Sequence, residues 1–208
     1  LTFDFTKNSS GTPAVNYGTT YDKASIFFDF GTAGNGKKIY WDDVKVVTAG
    51  PEVLGIPLTF ESATLSYAFT DFNGGAVTII ANPKSSGINT SAKVGKMVKN
   101  PGETYGGSYI TLPNPIDFST KKTFTMKVYS PRVGAKVLLK DENLTDGNNN
   151  YQKEVATTKA NEWETLTFDY SGIDASKSYQ KVVLIFDNGT SGDGSANYTW
   201  LFDDITLN

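Results

Sequence analysis

The sequence predicts an all-β protein, a jelly-roll β-sandwich preceded by the C-terminal strands of a second, related repeat. Three observations predict it: short apolar runs with two-residue alternation, turn residues between them, and ordered blocks that occur twice. The 208 residues include 20 glycines and 8 prolines, and 38% are hydrophobic and 13% aromatic. This composition is typical of a buried core of strands joined by tight turns.

Nine segments have the alternation or the short apolar run of a strand. They are 24–30, 39–47, 58–61, 76–81, 123–129, 136–140, 164–170, 182–187 and 198–207. Turn-forming sequences such as Asn73-Gly74-Gly75 separate them. No stretch has a sustained helical period, so the segments favour sheets.

Three blocks of the sequence occur twice in the same order. Residues 1–5 return as 166–170, residues 21–32 match 179–190, and residues 41–44 return as 202–205. Residues 1–49 therefore resemble the last third of a longer unit. We predict the C-terminal part of one sandwich at 1–49, a linker at 50–56 and a complete module at 57–208. A partial repeat exposes apolar strand faces, so we expect residues 1–49 to pack on a partner or on preceding residues.

The charge pattern and the missing residue types exclude several classes of function. A net charge of −3 with interspersed signs gives no basic surface for nucleic acid or an anionic membrane. No apolar run approaches the roughly 20 residues that span a bilayer. The sequence contains no cysteine and no histidine, which removes disulfides, thiolate metal sites and the usual general base of nucleophilic triads. Carboxylate chemistry and calcium binding remain open.

Alternation along the last predicted strand places an aspartate inside and a tryptophan outside. Asp203 would share the core face with Ile205, whereas Trp200 would lie on the opposite face. A carboxylate among core side chains is costly unless a cation or hydrogen bonds compensate its charge. Calcium takes oxygen ligands, and Glu61 could supply a second carboxylate. Alternatively, Asp203 and Asp204 bind backbone amides or face solvent.

Aromatic and planar polar side chains suggest a sugar site. Aromatic faces stack on the C–H side of pyranose rings, and planar polar groups bind hydroxyls. The candidate ligand-binding residues are Trp200, Tyr198, Tyr105, Tyr109, Glu142, Tyr151, Gln152 and Glu154. Each aromatic residue could equally belong to the core, because aromatics are common on strand faces. Trp163 is assigned to the core.

Residues 57–208 resemble the jelly-roll carbohydrate-binding modules of the family 4, 9 and 22 type. The similarity rests on Phe60-Glu61, on residues 163–169 and on residues 202–205. It is greatest to the modules appended to laminarinases and surface glycan-binding proteins of marine Bacteroidetes. The resemblance implies a structural Ca²⁺ between the first and last strands, held by Glu61 and Asp203.

The resemblance also implies a function, the non-catalytic binding of a polysaccharide. The expected partner is a β-1,3-glucan of the laminarin kind, bound outside the cell or on the outer surface of a bacterium. Neighbouring repeats or a catalytic domain of a longer parent protein would be further partners. The resemblance implies neither nucleic-acid binding nor membrane insertion.

Two alternative functions stay open on the sequence alone. A structural spacer or adhesion module would have the same fold without a sugar site, and burial of Trp200, Tyr198 and Tyr105 would favour it. A glycan-active enzyme would need two carboxyl groups about 5 to 10 Å apart. Glu142 and Glu154 could face each other across a hairpin, whereas adjacent aspartates on one strand project to opposite faces.

Overall fold

A computed structural model of the chain describes residues 1, 3–5, 11–13, 15–16, 19–45 and 52–208. The chain divides into two compact units, Leu1–Thr48 and Ala49–Asn208. All ten strands found among the described residues lie in the second unit. None of the described helices is long and apolar enough to cross a membrane.

The second unit is a sandwich of two five-stranded antiparallel sheets. Sheet 1 has the strand order β1-β4-β9-β6-β7, and sheet 2 has the order β2-β3-β10-β5-β8. Successive strands repeatedly change sheet, which confirms the predicted all-β jelly-roll sandwich. The strands are β1 (Phe69–Phe72), β2 (Gly75–Ala81), β3 (Lys93–Lys99), β4 (Gly107–Thr111), β5 (Thr123–Tyr129), β6 (Lys136–Glu142), β7 (Asn150–Ala156), β8 (Trp163–Asp169), β9 (Lys181–Phe186) and β10 (Thr199–Leu207).

Six of the predicted segments correspond to strands, and the others differ. The segment 58–61 forms only an isolated bridge from Leu58 to Ile205. Residues 24–30, and the described part of 39–47, contain no strand. The alternation is present there, but a strand is defined by hydrogen bonds to a neighbouring strand. The prediction for residues 46 and 47 lies outside the described residues.

The main core lies between the two sheets and is rich in aromatic rings. Phe118 packs against Phe124 and Tyr170 with ring centroids 6.0 Å away in both cases. At another place in the core, Phe186 lies 5.7 Å from Trp200 between ring centroids. Burying an aromatic ring of this size contributes about 1.5–3 kcal/mol, so these rings account for much of the stability of the sandwich.

A second, smaller apolar cluster lies on the outer side of sheet 2. It contains Trp163 with Val94 and Leu201, and the indole Nε1 of Trp163 donates a hydrogen bond to the carbonyl oxygen of Lys84 at 2.8 Å. Trp163 is therefore buried, as predicted, but beneath the segment between β2 and β3 and not between the sheets.

A β-bulge in β10 reverses the alternation that the sequence predicts. Asp203 is paired with Lys127 and Thr206 with Thr125, so three residues of β10 cover the same length as two residues of β5. Within this stretch Asp204 adopts a left-handed φ of 48°. Such a bulge adds one residue to a strand and shifts the phase of its side chains. Trp200 consequently lies on the same inner face as Ile205, and Leu201 lies on the outer face.

Candidate functional site

The outer face of sheet 1 carries a row of side chains from four neighbouring strands. Tyr109 of β4 is paired with Val183 of β9, and Val183 is also paired with Lys140 of β6. Lys140 is paired in turn with Gln152 of β7. Alternate residues of β9, such as Leu184, belong to the core, so the row points away from the other sheet.

A second row runs beside the first. Phe72 is paired with Gly107, and Leu138 is paired with both Ile185 and Glu154. A Cβ atom at Gly107 would lie 3.0 Å from Phe72 Cζ and 2.9 Å from Ile185 Cγ1. Glycine at this position therefore leaves room for the Phe72 ring beside Ile185. We call the two rows together the sheet 1 face.

The floor of the sheet 1 face is apolar and recessed. Leu138, Val183 and Ile185 are only 6%, 5% and 8% exposed. Phe72 and Tyr109 pack against them, with their ring centroids 6.5 Å apart and their planes inclined by 35°. Since the floor itself is nearly buried, the partly exposed rings of Phe72 and Tyr109 are the part of this face on which the C–H faces of sugars can stack.

Charged side chains surround this floor on the side of β6 and β7. Lys140 Nζ lies 2.6 Å from Glu142 Oε1, and Lys136 Nζ lies 3.2 Å from Glu154 Oε1. The side-chain amide of Asn188 donates to Glu154 Oε2 at 2.8 Å. This hydrogen bond, assisted by Lys136, holds the pKa of Glu154 below its usual range. Glu154 is therefore an ionised acceptor at neutral pH.

The loop between β3 and β4 borders the sheet 1 face and carries Tyr105, which is 51% exposed. Lys99 fastens this loop, because its Nζ donates to the carbonyl oxygen of Thr104 at 2.8 Å. The same ammonium donates to the carbonyl oxygens of Phe186 and Asp187 at 3.0 and 2.9 Å. Burial lowers the pKa of Lys99 to about 8. The loop that holds Tyr105 is thus tied to the end of β9.

Comparison with known proteins identifies the architecture. No protein-family model matches the chain, and no curated protein matches it. Among solved structures, the family 11 carbohydrate-binding module of the cellulosomal cellulase Lic26A-Cel5E of Clostridium thermocellum matches with a TM-score of 0.52 at 15% identity. That alignment covers 77% of this chain and 95% of the module. The chain has the jelly-roll fold of carbohydrate-binding modules.

Two further structures have the same fold. A family 11 carbohydrate-binding module from Clostridium thermocellum, in complex with a β-1,3-1,4-mixed-linked tetrasaccharide, matches with a TM-score of 0.50 at 12% identity, covering 71% of this chain and 91% of that one. An exo-β-agarase matches with a TM-score of 0.51 at 14% identity, covering 73% of this chain and 24% of the agarase. At these identities the likeness is one of fold.

Trp200 is fully buried in this jelly-roll fold, so the prediction that it lies on the outside is wrong. The bulge in β10 turns it inward, where its Nε1 donates to Ser130 Oγ at 3.0 Å. The Arg132 guanidinium lies 5.3 Å from the Trp200 ring centroid and 4.9 Å from that of Tyr198. Trp200 offers no ring face to a sugar, and Tyr198 packs partly buried against the core.

Tyr151 also lies away from the sheet 1 face. Its ring packs against Tyr170, with centroids 5.0 Å apart, because residue 151 projects to the inner side of β7 whereas Gln152 and Glu154 project outward. The structure therefore brings together four of the predicted candidates at or beside the sheet 1 face and places a fifth at its border. They are Tyr109, Glu142, Gln152 and Glu154, with Tyr105 in the bordering loop.

Asp203 and Glu61, the predicted calcium ligands, both accept hydrogen bonds from N–H groups. Asn89 Nδ2 donates to Asp203 Oδ2 at 3.0 Å, and the Asp204 amide donates to Asp203 Oδ1 at 2.8 Å. The Lys93 amide donates to Glu61 Oε1 at 2.8 Å. Calcium needs several oxygen atoms directed at one point, and the described part of the chain contains no cluster of three acidic residues. These contacts do not fit a calcium ion held between the two carboxylates.

Glu142 and Glu154 do not face each other across the β6–β7 hairpin. Glu142 is paired with Asn150, and Glu154 is paired with Leu138, four residues away along β6. Four residues of strand correspond to about 13 Å, which exceeds the separation of glycosidase carboxyl pairs. The geometry does not support the catalytic alternative.

The apolar floor of the sheet 1 face was not found from the sequence. Leu138, Val183 and Ile185 belong to strands whose other face fills the core, and Phe72 precedes a turn. A signal was nevertheless present, because residues 182–186 of β9 are apolar without interruption. A continuous apolar strand is typically buried on both faces, so this pattern indicates that side chains such as Phe72 and Tyr109 cover the outer face of β9.

Proposed function

We propose that the sheet 1 face binds a β-glucan chain without cleaving it. The observation that carries this proposal is the row formed by Tyr109, Val183, Lys140 and Gln152 across four paired strands. Strands lie about 4.8 Å apart, so the row is about 14 Å long. It offers an aromatic ring at one end, an apolar floor and a planar amide at the other end. This order matches a short oligosaccharide, which needs both stacking and hydrogen bonds.

Each part of the face has a defined role in this proposal. The ring of Tyr109 stacks on one sugar, and the exposed Tyr105 extends the aromatic border. The amide of Gln152 donates to and accepts from hydroxyl groups, and the ionised Glu154 accepts from them. Lys140 and Glu142 hold each other in place at 2.6 Å and can both bind hydroxyls. Contacts of this type are partly mediated by water, so we expect modest affinity.

The glucan is proposed to contain β-1,3 linkages, as in laminarin. A module of the same fold binds a β-1,3-1,4-mixed-linked tetrasaccharide, which supports this class of ligand. We further propose that the protein acts outside the cell or on the outer surface of a bacterium, where it would hold glycan for an enzyme or a transporter.

Affinity electrophoresis of the full chain in laminarin, mixed-linkage β-glucan and β-1,4-galactan gels tests the proposal. Wild type should be retarded by the β-glucans and not by the galactan. Tyr109→Ala should weaken the retardation about 10-fold, which corresponds to about 1.4 kcal/mol of stacking energy. Tyr129→Ala is the matched control, because Tyr129 packs beside Trp163 on the outer side of sheet 2. It should bind like wild type.

Two results would overturn the assignment of the site. The first is equal retardation of folded Tyr109→Ala and wild type, and the second is the absence of retardation by every β-glucan. Complete absence would favour the structural spacer. Burial of Trp200, Tyr198 and Tyr105 was the feature expected of a spacer. Trp200 is buried, Tyr198 is partly buried and Tyr105 is exposed, so that expectation is met only in part.

A further inference from the structure

Residues 19–45 have the same backbone irregularities as the second unit at repeat-equivalent positions. Residues 21–32 align with 179–190, and residues 41–44 align with 202–205. In this alignment two aspartate pairs and two glycine pairs have a positive φ in both copies. Such a φ is uncommon for a residue other than glycine. The pairs are Asp29 (56°) with Asp187 (51°), Asp43 (52°) with Asp204 (48°), Gly31 (86°) with Gly189 (95°) and Gly36 (80°) with Gly194 (77°).

Hydrogen bonds within these turns are also the same. The Thr32 amide donates to the Asp29 carbonyl oxygen at 3.1 Å, and the equivalent bond after β9 is also 3.1 Å. The Asp43 amide donates to Asp42 Oδ1 at 2.7 Å, and the bond from Asp204 to Asp203 is 2.8 Å. The first unit therefore contains equivalents of the turn after β9 and of the bulge in β10, although its described residues form no strands.

One ring contact between the two segments is reproduced as well. Phe28 and Trp41 lie 6.5 Å apart between ring centroids at an angle of 36°. Their equivalents, Phe186 and Phe202, lie 5.7 Å apart at 39°. The segments 21–32 and 39–45 thus contact each other as β9 and β10 do across the core.

What differs between the two copies is burial. Five apolar residues that would face a core are between 41% and 63% exposed in the first unit, whereas their five equivalents are all 0% exposed. The pairs are Ile26 with Leu184, Phe28 with Phe186, Ile39 with Trp200, Trp41 with Phe202 and Val44 with Ile205.

The second unit shows what covers these side chains. β9 lies between β4 and β6, and β10 lies between β3 and β5. All four neighbours belong to residues 57–165. A second copy of this chain is a poor partner, because its own β9 and β10 already fill those positions.

We propose that residues 19–45 are an interaction surface that docks into a β-sandwich segment related in sequence to residues 57–165. In that assembly, residues 23–28 form the strand equivalent to β9 and residues 39–45 form the strand equivalent to β10. Removing these five apolar side chains from water would drive the docking.

The test adds a second copy of residues 57–165 directly before Leu1 of the full chain. Hydrogen exchange should show about 100-fold greater protection of amides in 23–28 and 39–45 than in the unextended chain. Trp41, now 61% exposed, should become inaccessible to iodide quenching, and subtraction of a Trp41→Phe variant isolates its signal from the other tryptophans.

Matched substitutions test the register of docking. Ile26→Asp should abolish the added protection in the extended chain, because residue 26 would face the core. Phe30→Asp should preserve it, because the equivalent residue is the polar Asn188 at the edge of the sandwich. In the unextended chain both substitutions should have little effect, since both residues are exposed.

The control is a tandem chain in which a copy of residues 57–208 is placed before residues 46–208. It shows whether the added residues 57–165 fold when residues 166–208 follow them, as in the native order. If that tandem chain folds and the extended chain leaves residues 19–45 unprotected, the proposal is wrong. It is also wrong if Ile26→Asp and Phe30→Asp are tolerated equally in the extended chain.

Discussion

Asp203 accepts a hydrogen bond of 3.0 Å from the side-chain amide of Asn89, which lies 114 positions earlier in the chain. Asn89 is fully buried, and its Oδ1 accepts from the Ser91 amide at 3.1 Å. The pair fastens the segment between β2 and β3 over the outer side of sheet 2. The buried carboxyl group therefore has hydrogen-bond partners, as buried polar groups usually do.

The stability of the second unit should fall between pH 4 and pH 7 because of Asp203. Burial raises the pKa of Asp203 to about 6, above its value in the unfolded chain. Its contribution to the free energy of unfolding is therefore fully present below about pH 4 and is lost as the pH rises through 6. We expect wild type to lose on the order of 2 kcal/mol relative to Asp203→Asn over this range.

Urea denaturation of both proteins at pH 4 and pH 7 measures this loss. The difference between the two proteins removes the contributions of the other carboxyl groups, among them Glu154, whose pKa is lowered. A wild-type to variant difference that does not change with pH would contradict the role assigned to Asp203.

Calcium removal should leave the melting temperature unchanged. The two carboxylates predicted to bind calcium already accept hydrogen bonds from backbone and side-chain N–H groups, so we expect the fold to be maintained without the ion. Scanning calorimetry in EDTA and in added CaCl₂ checks this. A melting temperature that rises with calcium concentration would show binding to the folded state and would restore the site that the sequence predicted.

Substitution of Trp200 should affect stability and not sugar binding. Trp200→Ala removes a fully buried ring and should cost about 3–5 kcal/mol, whereas Trp200→Phe should cost less because it keeps a ring and loses mainly the bond to Ser130. Thermal melting and affinity electrophoresis of the folded Trp200→Phe protein provide the two measurements. A folded Trp200→Phe protein that loses glucan retardation would contradict the assignment of binding to the sheet 1 face.

Alternation and turn residues were enough to predict the fold class and most of the strands. They could not predict the bulge, because the extra residue at Asp204 changes the phase of β10 without a change in composition. The predicted facing of Trp200 was wrong for this reason. The prediction that Asp203 shares the core face with Ile205 was wrong for the same reason, since Asp203 contacts Asn89 on the outer side of sheet 2. Among the eight candidate sugar-binding residues, Tyr109, Gln152 and Glu154 lie on the outer face of sheet 1, whereas Trp200 on the bulged strand lies in the core.

A glycine in β3 is one reason why this strand was not predicted from the sequence. Gly95 suggests a break in an apolar pattern, and β3 was not predicted. In the structure, a Cβ atom at residue 95 would lie 2.3 Å from Phe202 Cζ. The glycine is needed because the ring of the neighbouring strand lies directly over it, which is a contact between residues more than 100 positions apart.

Asp141 should make the module less stable as the pH rises. It is fully buried on the inner side of β6, and neither carboxyl oxygen has a hydrogen-bond partner among the described residues. The nearby Tyr170 hydroxyl donates instead to the Leu139 carbonyl oxygen at 2.9 Å. Burial raises the pKa of Asp141 well above its usual range, and Tyr170 offsets only part of this effect.

The neutral variant Asp141→Asn should therefore be more stable than wild type at pH 8 and about equally stable at pH 4. A carboxyl group with a raised pKa stabilises the folded state most below its unfolded pKa, and that contribution is lost as the pH rises. Each unit of pKa elevation corresponds to about 1.4 kcal/mol, so the difference should be measurable by urea denaturation. Asp146→Asn, in the exposed turn between β6 and β7, is the control and should follow wild type at both pH values. Equal stability of Asp141→Asn and wild type at pH 8 would contradict this prediction, because it would mean that ionised Asp141 does not destabilise the folded state.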